Sequence, residues 1–281
     1  MIDSTESTAL NFLKDGNMKV ACISGGRTSG FMGIKLYESG FDGIYCFQNT
    51  GLEAKETIDF LKKLPFDITV LQYKDTKPFF TVETLDSLNI TGEPMKQLVR
   101  KRNFIPNKTK RFCTDELKTL TLRRFMRSQG IMKWENYLGI RADEMDRVEN
   151  ITKNYKRRGG KLIKSSPVFP LVDLGVTRRD VKTFWENNVF DLQLPITKEG
   201  KTLCGNCTMC FHKSEAELAI SLKSYPKQWA EMESLESEIG FTFREGLTMK
   251  KFREMVEKDQ QFDFNIENKV YCTTELGSCG D

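Results

Sequence analysis

A short turn, Ser24-Gly25-Gly26-Arg27-Thr28-Ser29, decides more about this chain than any other part of it. It lies directly behind the apolar run 18–23 and ahead of an amphipathic stretch over 28–37. Glycines let the backbone fold back sharply, so that successive N–H groups converge on one point. A helix starting there adds partial positive charge, and Ser24, Thr28 and Ser29 add hydroxyl donors. Strand, glycine turn and helix in that order predict a βα unit whose turn holds a phosphate, pyrophosphate or sulfate. It is not a Walker loop, because no Gly-Lys-Ser/Thr follows at the required spacing, and its glycines are out of register for a dinucleotide fingerprint. The plainer alternative is a strand-to-helix turn that binds nothing.

The first two-thirds of the chain repeats this unit. The runs 43–47, 67–71 and 136–140 read as further strands, and 53–63 and 114–128 as helices. The first of these helices carries Ile58, Leu61 and Leu64 on one face. The second, opened by a capping Thr114, carries Leu117, Leu120 and Phe125 as its stripe. Such alternation predicts an α/β fold with a mostly parallel sheet. Thr177 is expected to open a helix running to Trp185, with Asp180 complementing its dipole. The stretch 96–111 holds Lys96, Arg100, Lys101, Arg102, Lys108, Lys110 and Arg111 around Pro106 and reads as a basic loop. A second basic loop is expected over 153–164, around Gly159-Gly160. Beyond Gly200 come a cysteine-dense stretch, helices over 214–222, 226–239 and 248–258, and an irregular tail from Phe262. The expected division is an α/β domain over 17–200 and a cysteine-rich helical extension over 201–281.

Composition excludes several classes. The 281 residues include 43 Lys+Arg and 39 Asp+Glu, a net charge of +4, and 39% of them are hydrophobic. With 20 Phe, 7 Tyr and 3 Trp there is ample surface to bury, which argues against disorder. No apolar run approaches the roughly 18 residues of a membrane span. The opening Met1-Ile2-Asp3-Ser4-Thr5-Glu6 lacks the basic and apolar regions of a secretory signal, so a cytoplasmic protein is expected.

Eight cysteines are too few for a disulfide scaffold in a chain of this length. Cys22 and Cys46 lie inside apolar runs and read as small buried hydrophobes. Cys204, Cys207 and Cys210 form two overlapping CxxC units, whose thiolates converge on one metal ion or cluster. A dithiol redox motif fits less well without a thioredoxin-like βαβ setting, and unliganded buried thiols are the bland alternative. His212, two residues past Cys210, is expected in a supporting or surface role, with metal ligation as the alternative. Arg141 and Arg147 at a strand end suit bidentate contact with phosphate or sulfate oxygens, or equally salt bridges with Asp143, Glu144 or Asp146.

The Ser24–Ser29 turn resembles the PP-loop of the adenine nucleotide alpha-hydrolase superfamily. Four further segments resemble the phosphoadenosine phosphosulfate (PAPS) reductase family in the same order. They are Asn49-Thr50-Gly51 behind the second strand, Arg111-Phe112-Cys113-Thr114 with Lys118, Gly139 to Glu144 with Arg147, and Pro170-Leu171 followed by the helix from Thr177. The likeness covers about 19–210. It implies a Rossmann-like, doubly wound, mostly parallel sheet of PP-loop type. It also implies nucleotide contacts from Ser24, Gly25, Gly26, Arg27, Thr28, Ser29, Asn49, Thr50, Gly51, Arg141 and Arg147, with Lys118 assisting. Cluster-bearing reductases and related sulfur-transfer enzymes hold a [4Fe–4S] cluster between the Arg…Cys segment and a late CxxC. The resemblance therefore implies Cys113, Cys204, Cys207 and Cys210 as ligands, with zinc as the alternative metal. This chain departs from the family in having one cysteine at 113, where the cluster-bearing members have two. The family's nucleophile lies in a Glu-Cys-Gly-Leu-His tail. Here the tail reads Glu275-Leu276-Gly277-Ser278-Cys279-Gly280-Asp281, which makes Cys279 the candidate, with Cys272 upstream of it; a cluster ligand from Cys272 or Cys279 is the alternative.

Three functions follow as expectations. The leading one is reduction of adenosine phosphosulfate (APS) or PAPS to sulfite and a nucleotide monophosphate, with a thioredoxin-like reductant. The second is an ATP-dependent sulfur transferase acting on tRNA or DNA, for which the basic stretches would meet the backbone. The third is a non-enzymatic metal–cysteine protein that binds nucleic acid.

Overall fold

A computed structural model of the chain describes residues 18–157, 159, 165–197 and 201–258. Strands β1 (Met18–Cys22), β2 (Ile44–Asn49), β3 (Ile68–Tyr73), β4 (Phe80–Glu83), β5 (Trp134–Leu138) and β6 (Ser165–Val168) form one sheet in the order β4-β3-β2-β1-β5-β6. Neighbours are parallel, with Val20 opposite Ile44 on one side and Asn136 on the other. The β3–β4 pair alone is antiparallel. The helices are α1 (Arg27–Glu38), α2 (Lys55–Leu61), α3 (Glu93–Arg102), α4 (Phe112–Thr114), α5 (Thr121–Ser128), α6 (Met145–Arg157), α7 (Pro170–Asp173), α8 (Arg178–Glu186), α9 (Glu215–Ser224), α10 (Pro226–Ile239) and α11 (Met249–Lys258).

Successive strand residues face opposite sides of a sheet, and here both sides are apolar. Ala21, Tyr45, Phe47 and Val70 join Phe31 and Met32 of α1, Phe60 and Leu61 of α2, and Trp185 of α8 in one buried cluster. Their neighbours Val20, Cys46 and Leu71 face the other way, onto Leu122 and Met126 of α5. Leu138 and Ile140 meet Ile151 of α6. Helices therefore cover both faces, an α/β architecture compatible with a Rossmann-like fold.

A further apolar cluster crosses the expected boundary at residue 200. Leu218 and Leu222 of α9, Trp229, Met232 and Leu235 of α10 and Phe252 of α11 pack with Leu52, Met95, Leu98 and Leu117. The C-terminal helices thus share a core with residues from the first half of the chain.

The sequence pattern fails in four places, each for a local reason. The expected basic loop over 96–111 is helical through Arg102, because Pro94 occupies a helix-starting position and Leu98 and Val99 bury one face. The helix expected from Thr114 begins at Phe112 with Arg111 at its N-cap, and Asp115–Leu120 is π-helical. A π turn holds an extra residue, so the stripe slips: Leu117, Leu122 and Met126 are buried, while Leu120 and Phe125 are only partly so. The four-residue edge strands β4 and β6 left no alternating signal, and β6 holds Pro167, which edge strands tolerate. Finally, α6 runs to Arg157, into the second expected basic loop. Among the described residues no helix is long and apolar enough to cross a membrane.

Candidate functional site

The sheet order reverses at β1: the chain adds β2 and β3 on one side, and β5 and β6 on the other. Loops leaving the carboxyl ends of β1 and β5 diverge there, and such a split is where open α/β sheets hold ligands. Ser24–Ser29 leaves β1, and the Gly139–Glu144 segment leaves β5.

The β1 loop is held in one shape. Gly25 has φ +84°, and a Cβ there would lie 2.3 Å from Thr57 Cγ2, so only glycine fits. Gly26 is the extended N-cap of α1, no side chain caps the helix, and its first turn contains no acid. The Ser29 hydroxyl accepts from Ser24 N at 3.1 Å and donates to Gly26 O at 3.0 Å, closing the loop on itself. The β5 segment comes close because Gly139 has no side chain. A Cβ would stand 3.0 Å from Ser29 Cα.

Arg141 joins the two loops. It is 2% exposed, and its Nη1 donates to Thr28 Oγ1 at 3.0 Å. Its Nε donates to Asp143 Oδ1 at 2.9 Å, and its backbone N–H donates to Glu144 Oε2 at 3.1 Å. Arg147, also buried, donates to the other oxygen of Glu144 at 2.6 Å. Of the two readings made for these arginines, the salt bridges with their own acids are the one observed. Arg27 is placed differently. Its guanidinium grips Asp191 through two bonds of 2.7 and 2.8 Å and donates to Thr202 Oγ1 and Leu192 O. It is a strut tying α1 to the 191–202 segment. Beside it, Arg27, Thr28, Arg141, Arg178, Lys182 and Lys201 line a cleft of about 470 Å3. No local motif marked Asp191, Lys182 or Lys201, which join the loop only through the tertiary fold.

The Asn49-Thr50-Gly51 side chains are committed inside the protein. Asn49 donates to Gln72 Oε1 and Asn89 O and accepts from Gly51 N. The Thr50 hydroxyl and backbone N–H both donate to Glu53, a fully buried carboxyl. Burial pushes the Glu53 pKa up, against the opposing pull of Thr50 and the Lys118 charge. Lys118, on the π-helical turn, is itself buried. Its charge also acts on Cys22 at the end of β1, whose thiol burial pushes up to about 12.

Lys118 also lines a second pocket, of about 530 Å3, with Thr50, Arg111, Cys113, Cys207, Cys210 and His212. Three of the four expected metal ligands meet here. Cys204 does not line this pocket. It is 1% exposed within the cluster of the α1 face, and its sulfur accepts from Ser221 Oγ at 3.4 Å. Left-handed backbone at Cys204 (φ +59°) and Asn206 (φ +56°) turns the chain between the first two cysteines. Burial, with Cys210, Glu53 and Cys113 nearby, holds the Cys207 thiol well above its ordinary pKa. His212 is pushed down to about 4, first by burial and then by Arg111 and Lys108. Both its ring nitrogens are buried without a hydrogen-bond partner among the described residues.

Three thiols with a neutral, unpartnered imidazole are soft donors suited to iron–sulfur or zinc. Among the described residues no group of three or more His, Cys, Asp and Glu side chains already stands in metal-binding array. Cys272 and Cys279 lie outside the described residues.

Three of the seven cations in the expected basic stretch are paired with acids. Lys96 pairs with Glu231 at 2.8 Å, and Arg100 grips Glu238 through two bonds of 2.8 Å. Arg102 pairs with Glu116, and Lys101 donates to Asp75 O at 2.8 Å. No protein-family model matches the chain, and a search of curated proteins finds no match.

Proposed function

We propose that the chain is a PAPS reductase-like enzyme of PP-loop type that binds an adenine nucleotide at the β1–β5 split and acts on its phosphosulfate end. One observation carries this reading: the glycine loop and the Arg141 segment arrive at the split together, joined by the bond from Arg141 to Thr28. Loop amides at the uncapped start of α1 would bind anionic oxygens, and Arg141 would bind them from the opposite wall. Fixed donors need no reorganisation as negative charge shifts onto the leaving phosphate.

In this reaction the Cys279 thiolate attacks the sulfate sulfur. The S–O bond to phosphate breaks, its electron pair leaves with the nucleotide (AMP from APS, adenosine 3′,5′-bisphosphate from PAPS), and a Cys279–S–sulfonate forms. A thioredoxin-like dithiol then attacks the Cys279 sulfur, releasing sulfite and ending as a disulfide. The pocket lined by Cys113, Cys207 and Cys210 would hold the metal. When bound there, a [4Fe–4S] cluster supplies a charged, redox-active centre, or zinc a purely structural one. Lys118 lines that pocket and lies close enough to the end of β1 to act on Cys22, so it connects the two regions electrostatically.

Incubation of the full chain with APS or PAPS and a thioredoxin-like reductant tests the reading. It requires sulfite and the desulfonated nucleotide (AMP or adenosine 3′,5′-bisphosphate) in equal amounts, and loss of both in Cys279→Ser. Pyrophosphate release from ATP that depends on added tRNA or DNA, without sulfite from either phosphosulfate, would replace reduction with sulfur transfer. The paired cations of α3 weigh against that alternative.

A further inference from the structure

Among the described residues, the imidazole of His212 has no hydrogen-bond partner. Its Nδ1 and Nε2 are both shielded from water. An imidazole always offers a donor or a lone pair at each nitrogen, so burying both unmet is costly. Buried polar atoms without partners are uncommon, and each points to a group that completes it. The ring packs on Phe211 with centroids 4.6 Å apart and lines the pocket that holds Cys113, Cys207 and Cys210.

Cys204 is the opposite case. Its sulfur already has Ser221 as donor, lies 3.9 Å from Glu217 O, and sits among apolar side chains of a different cluster. Bringing it to the pocket would mean undoing the left-handed turns at Cys204 and Asn206 and vacating a packed core position. His212 already lines the pocket together with the three thiols.

We infer that His212, and not Cys204, completes with Cys113, Cys207 and Cys210 a three-thiolate, one-imidazole site for a thiophilic metal centre. The inference rests on the reading of this pocket as a metal site, and it replaces one of the four cysteines expected there. Its chemical consequence is a centre one negative charge less anionic than a four-thiolate one, since neutral imidazole takes the place of a thiolate.

The test uses the full chain purified without oxygen and assayed for iron, sulfide and zinc, with and without 15N-labelled histidine. A second sample is loaded with ferrous iron and sulfide, and a third with zinc. The inference expects histidine nitrogen coupled to the metal in wild type, read by pulsed EPR of the reduced cluster or by X-ray absorption of the zinc form. Cys204→Ala should retain the wild-type metal content. Cys113→Ser, Cys207→Ser and Cys210→Ser should each lose at least half of it. His212→Ala should lose metal and nitrogen signal together, while His212→Cys should regain the metal without the signal. Wild type holding its full metal with no nitrogen coupling overturns the inference and leaves the pocket a metal site; so does loss of metal in folded Cys204→Ala. A wild-type chain that binds neither metal under any loading overturns the inference together with the pocket reading beneath it.

Discussion

The β1–β5 split and the cysteine pocket are built on opposite principles. At the split nearly every charged side chain is already paired: Arg27 with Asp191, Arg141 with Asp143, and Arg147 with Glu144. In the pocket a histidine has both nitrogens unmet among the described residues, beside three thiols. A paired charge in a low-dielectric setting is fixed in place, so a ligand meets donors that do not move. An unmet buried group is a standing cost that only an added partner relieves. On the proposed reading, the first region would meet a visiting anion with fixed donors, and the second would be completed by a group that stays.

The sharpest way to break this contrast is to remove a partner at the split. Asp191→Ala strands the buried Arg27 guanidinium, and denaturant unfolding should show a loss of about 3 kcal/mol or more. A loss below about 1 kcal/mol would mean that Arg27 finds water and that the loop is not braced in this way. Next in size is Gly25→Ala. It forces a side chain into left-handed backbone and against Thr57, which should cost about 2 kcal/mol in the same measurement. Nucleotide binding should disappear in the fraction that still folds.

Arg141→Ala should cost less in stability than in binding. Its acids are partly exposed or shared with Arg147, whereas a bidentate anion contact is worth about tenfold in Kd or more, roughly 1.4 kcal/mol. Titration of both proteins with the same nucleotide would show it, and equal affinities would remove Arg141 from the site. The smallest effect is expected at Glu238→Ala. It releases Arg100 on the surface of α3 and should leave the unfolding midpoint unchanged. If that variant gained marked affinity for DNA or tRNA, the α3 cations would matter more than their pairing suggests.

Much of this was legible in the chain because it is local. The β1 turn declares itself through adjacent glycines and hydroxyls, and β1, β2, β3 and β5 through contiguous apolar runs. What escaped was set by distance or by a change of period. Asp191 reaches Arg27 across 164 residues, and no composition near either marks the pair. The basic run around Arg100 looks like a loop until Glu231 and Glu238 of α10 are laid beside it. The π turn at Asp115–Leu120 moves the buried stripe to Leu122 and Met126, which a uniform 3.6-residue period cannot foresee. At the cysteines, spacing alone treats Cys204, Cys207 and Cys210 as equivalent. Two left-handed residues make them unequal.

The central claim is that the crevice between the β1 loop and the β5 segment binds the anionic end of an adenine nucleotide. Isothermal titration calorimetry of the folded chain with APS, PAPS and ATP tests it most directly. The account predicts saturable binding of at least one of them at one site per chain, weakened tenfold or more in Arg141→Ala. Heat no greater than dilution for all three, from a chain whose circular dichroism shows it folded, would contradict it.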